Sequence, residues 1–70
     1  MNQNERVLQY LELYNSITPL EALADLGIMR LSPRIGELEK EGKHFVHEMV
    51  TDRNRFGEKI RYTRYRRQEE

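Results

Sequence analysis

The chain has 70 residues, 12 basic and 12 acidic side chains, and no cysteine. That length supports one small domain near the limit of what a single core stabilises, and the missing thiols exclude disulfides and thiolate metal sites. No apolar run is long enough to span a bilayer or act as a secretory signal, so a cytoplasmic protein with no membrane partner is expected.

Asn2 or Asn4 can cap a first helix, along which Val7, Leu8, Leu11 and Tyr14 form an apolar stripe. Asn15-Ser16 is its natural stop, leaving Ile17 as a hydrophobic staple ahead of the next cap. Thr18, Pro19 and Glu21 then spell a capping box with proline at the first helical position. Leu20, Leu23, Ala24 and Leu26 are the expected apolar face of this second helix. Gly27 suits the left-handed residue that ends it, and Ile28 can fold back onto the last turn.

A third amphipathic run follows at once, with Leu31, Ile35 and Leu38 at i, i+4, i+7. Ser32-Pro33 would start the helix at Pro33, but the register of Leu31 favours a start near Arg30, and proline is tolerated in a first turn. Glu41-Gly42 ends it. From Phe45 the period changes to two, with Val46, Glu48 and Val50 on one strand face and Phe45, His47, Met49 and Thr51 on the other. Residues 52–58 read as a turn, and Lys59 to Arg66, rich in β-branched and aromatic residues, reads as the returning strand. Val46, Val50, Ile60 and one or both of Tyr62 and Tyr65 are the expected anchors of this hairpin on the helices.

The expected fold is therefore α+β and mainly α: a three-helix helix-turn-helix core followed by a two-stranded β-hairpin wing. One domain spans residues 1–67, and residues 68–70 form a tail expected to fray.

The neutral total hides a segregated charge. Residues 1–29 carry Arg6 against Glu5, Glu12, Glu21 and Asp25, whereas residues 53–67 carry Arg53, Arg55, Lys59, Arg61, Arg64, Arg66 and Arg67 against Glu58 alone. Such a basic segment can bind phosphate, or it can be a solvated charged hairpin.

Ser16 to Gly42, followed by Asn54 to Arg66, resembles the small winged helix-turn-helix proteins of phages and prophages. The Arg55-Phe56-Gly57-Glu58-Lys59 turn and the basic, tyrosine-bearing strand carry most of the likeness. The resemblance implies a DNA-binding regulator or accessory factor. Its recognition helix would be Arg30 to Glu41, with Arg30, Ser32, Pro33, Arg34 and Glu37 on or near the exposed face. Its wing would be Val46 to Arg66, with Arg53, Asn54, Arg55 and Lys59 near the tip and Arg61 behind them. Met29 departs from the small polar cap that such proteins often place there, which leaves the reading register open.

Arg30 and Arg34, one turn apart, can each read guanine bidentately or grip a phosphate, and Ser32 sits at a helix opening that favours phosphate. Arg34 can instead pair with Glu37 on the surface, an interaction of little energetic weight. Arginines at a wing tip, here Arg53 and Arg55, suit a narrow minor groove, with Lys59 and Arg61 on the backbone. Phe56 is expected to pack the turn onto the hairpin rather than to stand out as a wedge.

An enzyme finds little here. His44 and His47 would point to opposite strand faces without convergent ligands, the serines lack an oriented base, and Gly27, Gly36, Gly42 and Gly57 are scattered singly. No metal and no cofactor are expected. Double-stranded DNA is the expected partner, and affinity from so small a module would gain from a homodimer, for which Tyr10, Leu13 and Tyr14 offer a patch unless they complete the core. The alternative is a winged helix that binds and inhibits or modulates a protein partner, favoured by the acidic first half and by Glu37, Glu39 and Glu41.

Overall fold

The computed structural model of the chain describes residues 1–68. Its elements, in order, are α1 (Gln3–Tyr14), β1 (Ser16–Ile17), α2 (Pro19–Leu26), α3 (Leu31–Lys40), β2 (Phe45–Arg53) and β3 (Lys59–Arg67). None of the helices is long and apolar enough to cross a membrane.

Each of the first two helices opens on a reciprocal cap. The Asn2 side chain accepts from the Glu5 amide at 2.8 Å, and Glu5 accepts from the Asn2 amide in return. Thr18 Oγ1 accepts from the Glu21 amide at 3.2 Å, while Glu21 Oε1 accepts from the Thr18 amide at 2.9 Å. Between them these bonds satisfy amide donors that helix starts leave unpaired. Asn15 (φ 69°) closes α1 and Gly27 (φ 70°) closes α2, both in the left-handed region. Ile28 then folds back into the core, its amide donating to the Ala22 carbonyl at 3.0 Å.

Two expectations about faces need correction. In α2 the buried residue is Ala22, with Leu26 half-buried behind it, whereas Leu20 (74% exposed), Leu23 (49%) and Ala24 face solvent. Ile17 before the helix and Ile28 after it are both fully buried, and this pair turns the Ala22 side of the helix inward. A helix this short carries two overlapping i, i+3/i+4 sets, and the flanking anchors choose between them.

The second correction concerns the sheet. It has three antiparallel strands in the order β1-β3-β2, not two. Ser16 and Ile17 lie opposite Arg66 and Tyr65, so the segment read as a staple also pairs as a short edge strand. Two residues show no period, and their partner lies about fifty positions away in sequence, so nothing local announces the pairing.

In the β2–β3 ladder Phe45, His47 and Met49 oppose Arg67, Tyr65 and Thr63. Directly opposed residues share a face. This face meets the helices: Tyr65 is buried and Phe45 packs against the core. Of the expected anchors only Tyr65 enters the core. Val46 (44% exposed) and Ile60 (40%), with the half-buried Val50 and Tyr62, lie on the other face. The helices reach only the base of the ribbon, and Thr51 to Arg61 is exposed throughout, so burial cannot select a face there.

The core joins Val7, Tyr10 and Leu11 of α1 to Leu31, Ile35 and Leu38 of α3 around Ile17, Ile28 and Tyr65. Tyr10 thus belongs to the core, while Leu13 and Tyr14 remain exposed. Its hydroxyl donates to Asp25 Oδ2 at 2.7 Å, tying α1 to the last turn of α2. That bond, with burial, pushes the Tyr10 phenol well above its usual range, so it stays protonated. The Gln68 amide donates to the His44 carbonyl at 3.3 Å, and the remainder of the expected tail, residues 69–70, lies outside the described residues.

Candidate nucleic-acid interface

α3 starts at Leu31, as the hydrophobic register requires, with Arg30 in the cap position and no side-chain cap bond. Its opening amides are therefore not satisfied by a capping side chain, and Pro33 removes one of them outright. Leu31, Ile35 and Leu38 point inward. At 100° per residue the opposite side of the helix carries Pro33, Gly36, Glu37 and Lys40. A methyl group built at Gly36 would meet no heavy atom within 4 Å, so internal packing does not demand glycine there.

Of the residues assigned to recognition, Arg30, Ser32 and Glu37 are exposed and Pro33 is half-buried. Arg34 is held. Its Nε lies 3.0 Å from Glu37 Oε1, and its Nη1 donates to Gln3 Oε1 of α1 at 3.2 Å. The cause is its position, one turn from both Leu31 and Leu38, which leans the side chain toward α1 rather than outward. Arg34 thus bridges two helices and neutralises Glu37.

Glu39 and Glu48 are similarly engaged, whereas Glu41 at the end of α3 is exposed and makes no ion pair among the described residues. Glu39 Oε2 lies 2.9 Å from His47 Nε2, linking α3 to β2, and the His47 ring meets Tyr65 edge-on at 5.1 Å. Glu48 contacts both Arg64 (3.3 Å) and Arg66 (3.1 Å).

The ladder register sorts the wing cations. Arg53 opposes Lys59 and Thr51 opposes Arg61. By alternation these three cations lie on the same face as His47, which is the face turned to α3. Asp52, Glu48, Arg64 and Arg66 lie on the other, with their charges balanced. The distal ribbon therefore presents Arg53, Lys59 and Arg61 on the face that, at its base, meets α3 through the His47–Glu39 contact. The composition of the segment could not reveal this, although period-two alternation along Lys59 to Arg67 carried the signal.

The wing tip is a built turn. Asn54 Oδ1 accepts from the amides of Phe56 (2.9 Å) and Glu58 (3.0 Å), and Asn54 Nδ2 donates to the Glu58 carboxylate at 3.2 Å. Arg53 Nη1 donates to the Gly57 carbonyl at 2.8 Å, and Gly57 takes the left-handed conformation (φ 77°). The Asn54 side chain is committed to this turn and the Arg53 guanidinium is partly so. Arg55, Lys59 and Arg61 make no ion pair or side-chain hydrogen bond among the described residues. Phe56, expected to pack inward, is 83% exposed, because the ribbon tip stands clear of any apolar surface that could receive it.

Among the described residues no three His, Asp or Glu side chains converge in a way that could hold a metal ion. A family model described as a winged helix-turn-helix domain matches residues 2–67. The chain belongs to the winged helix-turn-helix family. Domains of this family are typically DNA-binding and non-enzymatic. The comparisons with curated proteins and with solved structures returned no match.

Proposed function

We propose that this winged helix-turn-helix protein binds double-stranded DNA, with α3 in the major groove and the Arg53, Lys59 and Arg61 face of the wing on the adjacent minor groove and backbone. One observation carries the reading: Arg53, Lys59 and Arg61 lie together on the ribbon face that meets α3 at its base, none of them paired with an acid among the described residues, while Glu37 and Glu39 are paired with Arg34 and His47. Arg30 and Ser32, exposed at the open start of α3, contact phosphate or a base edge. Arg34 fixes the pose of the helix or is released to the DNA on binding. Gly36 lets a phosphate backbone or base edge approach the helix closely. The protein acts by occupancy, as a cytoplasmic regulator or accessory factor of the phage and prophage kind.

Titration of the purified protein against mixed duplex DNA at low and high salt tests this. Binding that weakens with salt, and weakens further in Arg30→Ala, is expected. No binding at low salt overturns the proposal.

A second reading rests on a different observation. Leu13, Tyr14, Leu20 and Leu23 are exposed on α1 and α2, a segment that also carries the acidic half of the chain. Large apolar side chains on that surface suit a protein partner, or a second copy of the chain bound alongside on DNA. A pull-down that survives Leu13→Ser/Tyr14→Ser excludes those two residues from such a contact.

A further inference from the structure

Phe56 has no use in the contacts described so far, yet the fold exposes its ring almost completely at the tip of the wing. A large aromatic left in water forgoes the burial that usually accounts for such a residue. Its support is rigid rather than loose. The Phe56 amide is held by Asn54, the Gly57 amide donates to the Asn54 carbonyl at 3.0 Å, and Arg53 ties the Gly57 carbonyl from below. Arg55 is adjacent, Lys59 lies across the turn, and the one acid at the tip, Glu58, accepts from Asn54. Thr51 to Arg61 stands free of the body, so the tip can approach a groove without a clash from the helices.

A wedge that opens a base step requires these same features. It needs an apolar side chain on a stiff support, cations to hold the flanking phosphates, and a narrow projection that fits a minor groove only about 6 Å wide. We propose that Phe56 inserts between two base pairs in the minor groove and kinks the duplex, with Arg55 and Lys59 on the phosphates either side. This rests on the DNA-binding reading above and extends it from occupancy to bending. The ligand it selects is duplex DNA with easily unstacked pyrimidine–purine steps, chosen through deformability rather than through a base hydrogen bond. A rigid turn matters because a mobile one would swing the ring aside instead of transmitting the load to the stack.

Ligase-driven ring closure of duplex fragments of about 100 bp, shorter than the ~150 bp persistence length, reads the bend directly. Wild-type protein raises the closure rate severalfold at concentrations where the duplex is bound. Phe56→Ala still binds in a salt-dependent manner but returns closure to the protein-free rate, and Phe56→Leu, which keeps an apolar wedge, restores part of it. Unfolding of Phe56→Ala matches wild type, since the ring faces solvent. Equal closure by wild type and Phe56→Ala overturns the wedge. So does duplex binding by wild type without faster closure, which leaves the DNA-binding reading standing. Failure of wild type to bind duplex at low salt removes both.

Discussion

Gly36 shows how one residue can separate folding from binding. Glycine inside a helix costs about 1 kcal/mol relative to alanine, through the backbone freedom that must be frozen. Steric need would account for that cost, but a Cβ at Gly36 meets nothing within 4 Å. On the DNA-binding function proposed above, the benefit lies outside the fold, in the duplex that approaches the exposed side of α3. Gly36→Ala should raise stability by roughly 0.5–1 kcal/mol, read by denaturant unfolding. It should also weaken duplex binding severalfold, because the added methyl lies between Pro33 and Lys40 on the outward strip. Raised stability with unchanged binding would take this strip away from the DNA. Arg34 carries a related lesson. The sequence offered it both a base contact and an ion pair with Glu37, and the structure shows the ion pair with a second tie to Gln3. Only the position of α1 could decide between them.

Among the elements, legibility follows how local the deciding forces are. The helix boundaries were readable because caps are local: Thr18 and Glu21 bond within four residues, and Gly27 ends α2 through its own backbone conformation. Leu31, Ile35 and Leu38 fixed the start of α3 for the same reason. β1 was not readable, because its pairing with Arg66 and Tyr65 has no local signature. The faces of α2 and of the ribbon were misread for a further reason. An eight-residue helix and a ribbon that leaves the body offer more apolar positions than the core can accept. For α2 this can be checked with two substitutions. Leu20→Ala should cost less than about 0.5 kcal/mol, as an exposed change does. Ala22→Leu should cost about 1–3 kcal/mol, since added methylenes must displace a packed core. Thermal unfolding distinguishes this from the opposite face, on which Leu20→Ala would be the damaging change.

At the scale of the whole molecule, a net charge of zero conceals an orientation. The basic cluster at residues 53–67 was legible as composition, but its division into two faces required the β2–β3 register. One face carries Arg53, Lys59 and Arg61, and the other balances Arg64 and Arg66 against Glu48. Screening limits exposed charges to about 8 Å at physiological salt, so cations turned away from the duplex contribute little to counterion release. Each phosphate neutralised adds about 0.9 to the slope of log affinity against log salt. Lys59→Ala/Arg61→Ala should therefore flatten that slope by about 1.8. Arg64→Ala/Arg66→Ala removes the same formal charge from the other face and should leave the slope unchanged. Equal flattening by both pairs would mean that the ribbon attracts DNA without presenting a face to it. A loss confined to the second pair would place the duplex against the Val46, Val50 and Tyr62 side, and α3 would then lie on the wrong side of the sheet to read a groove.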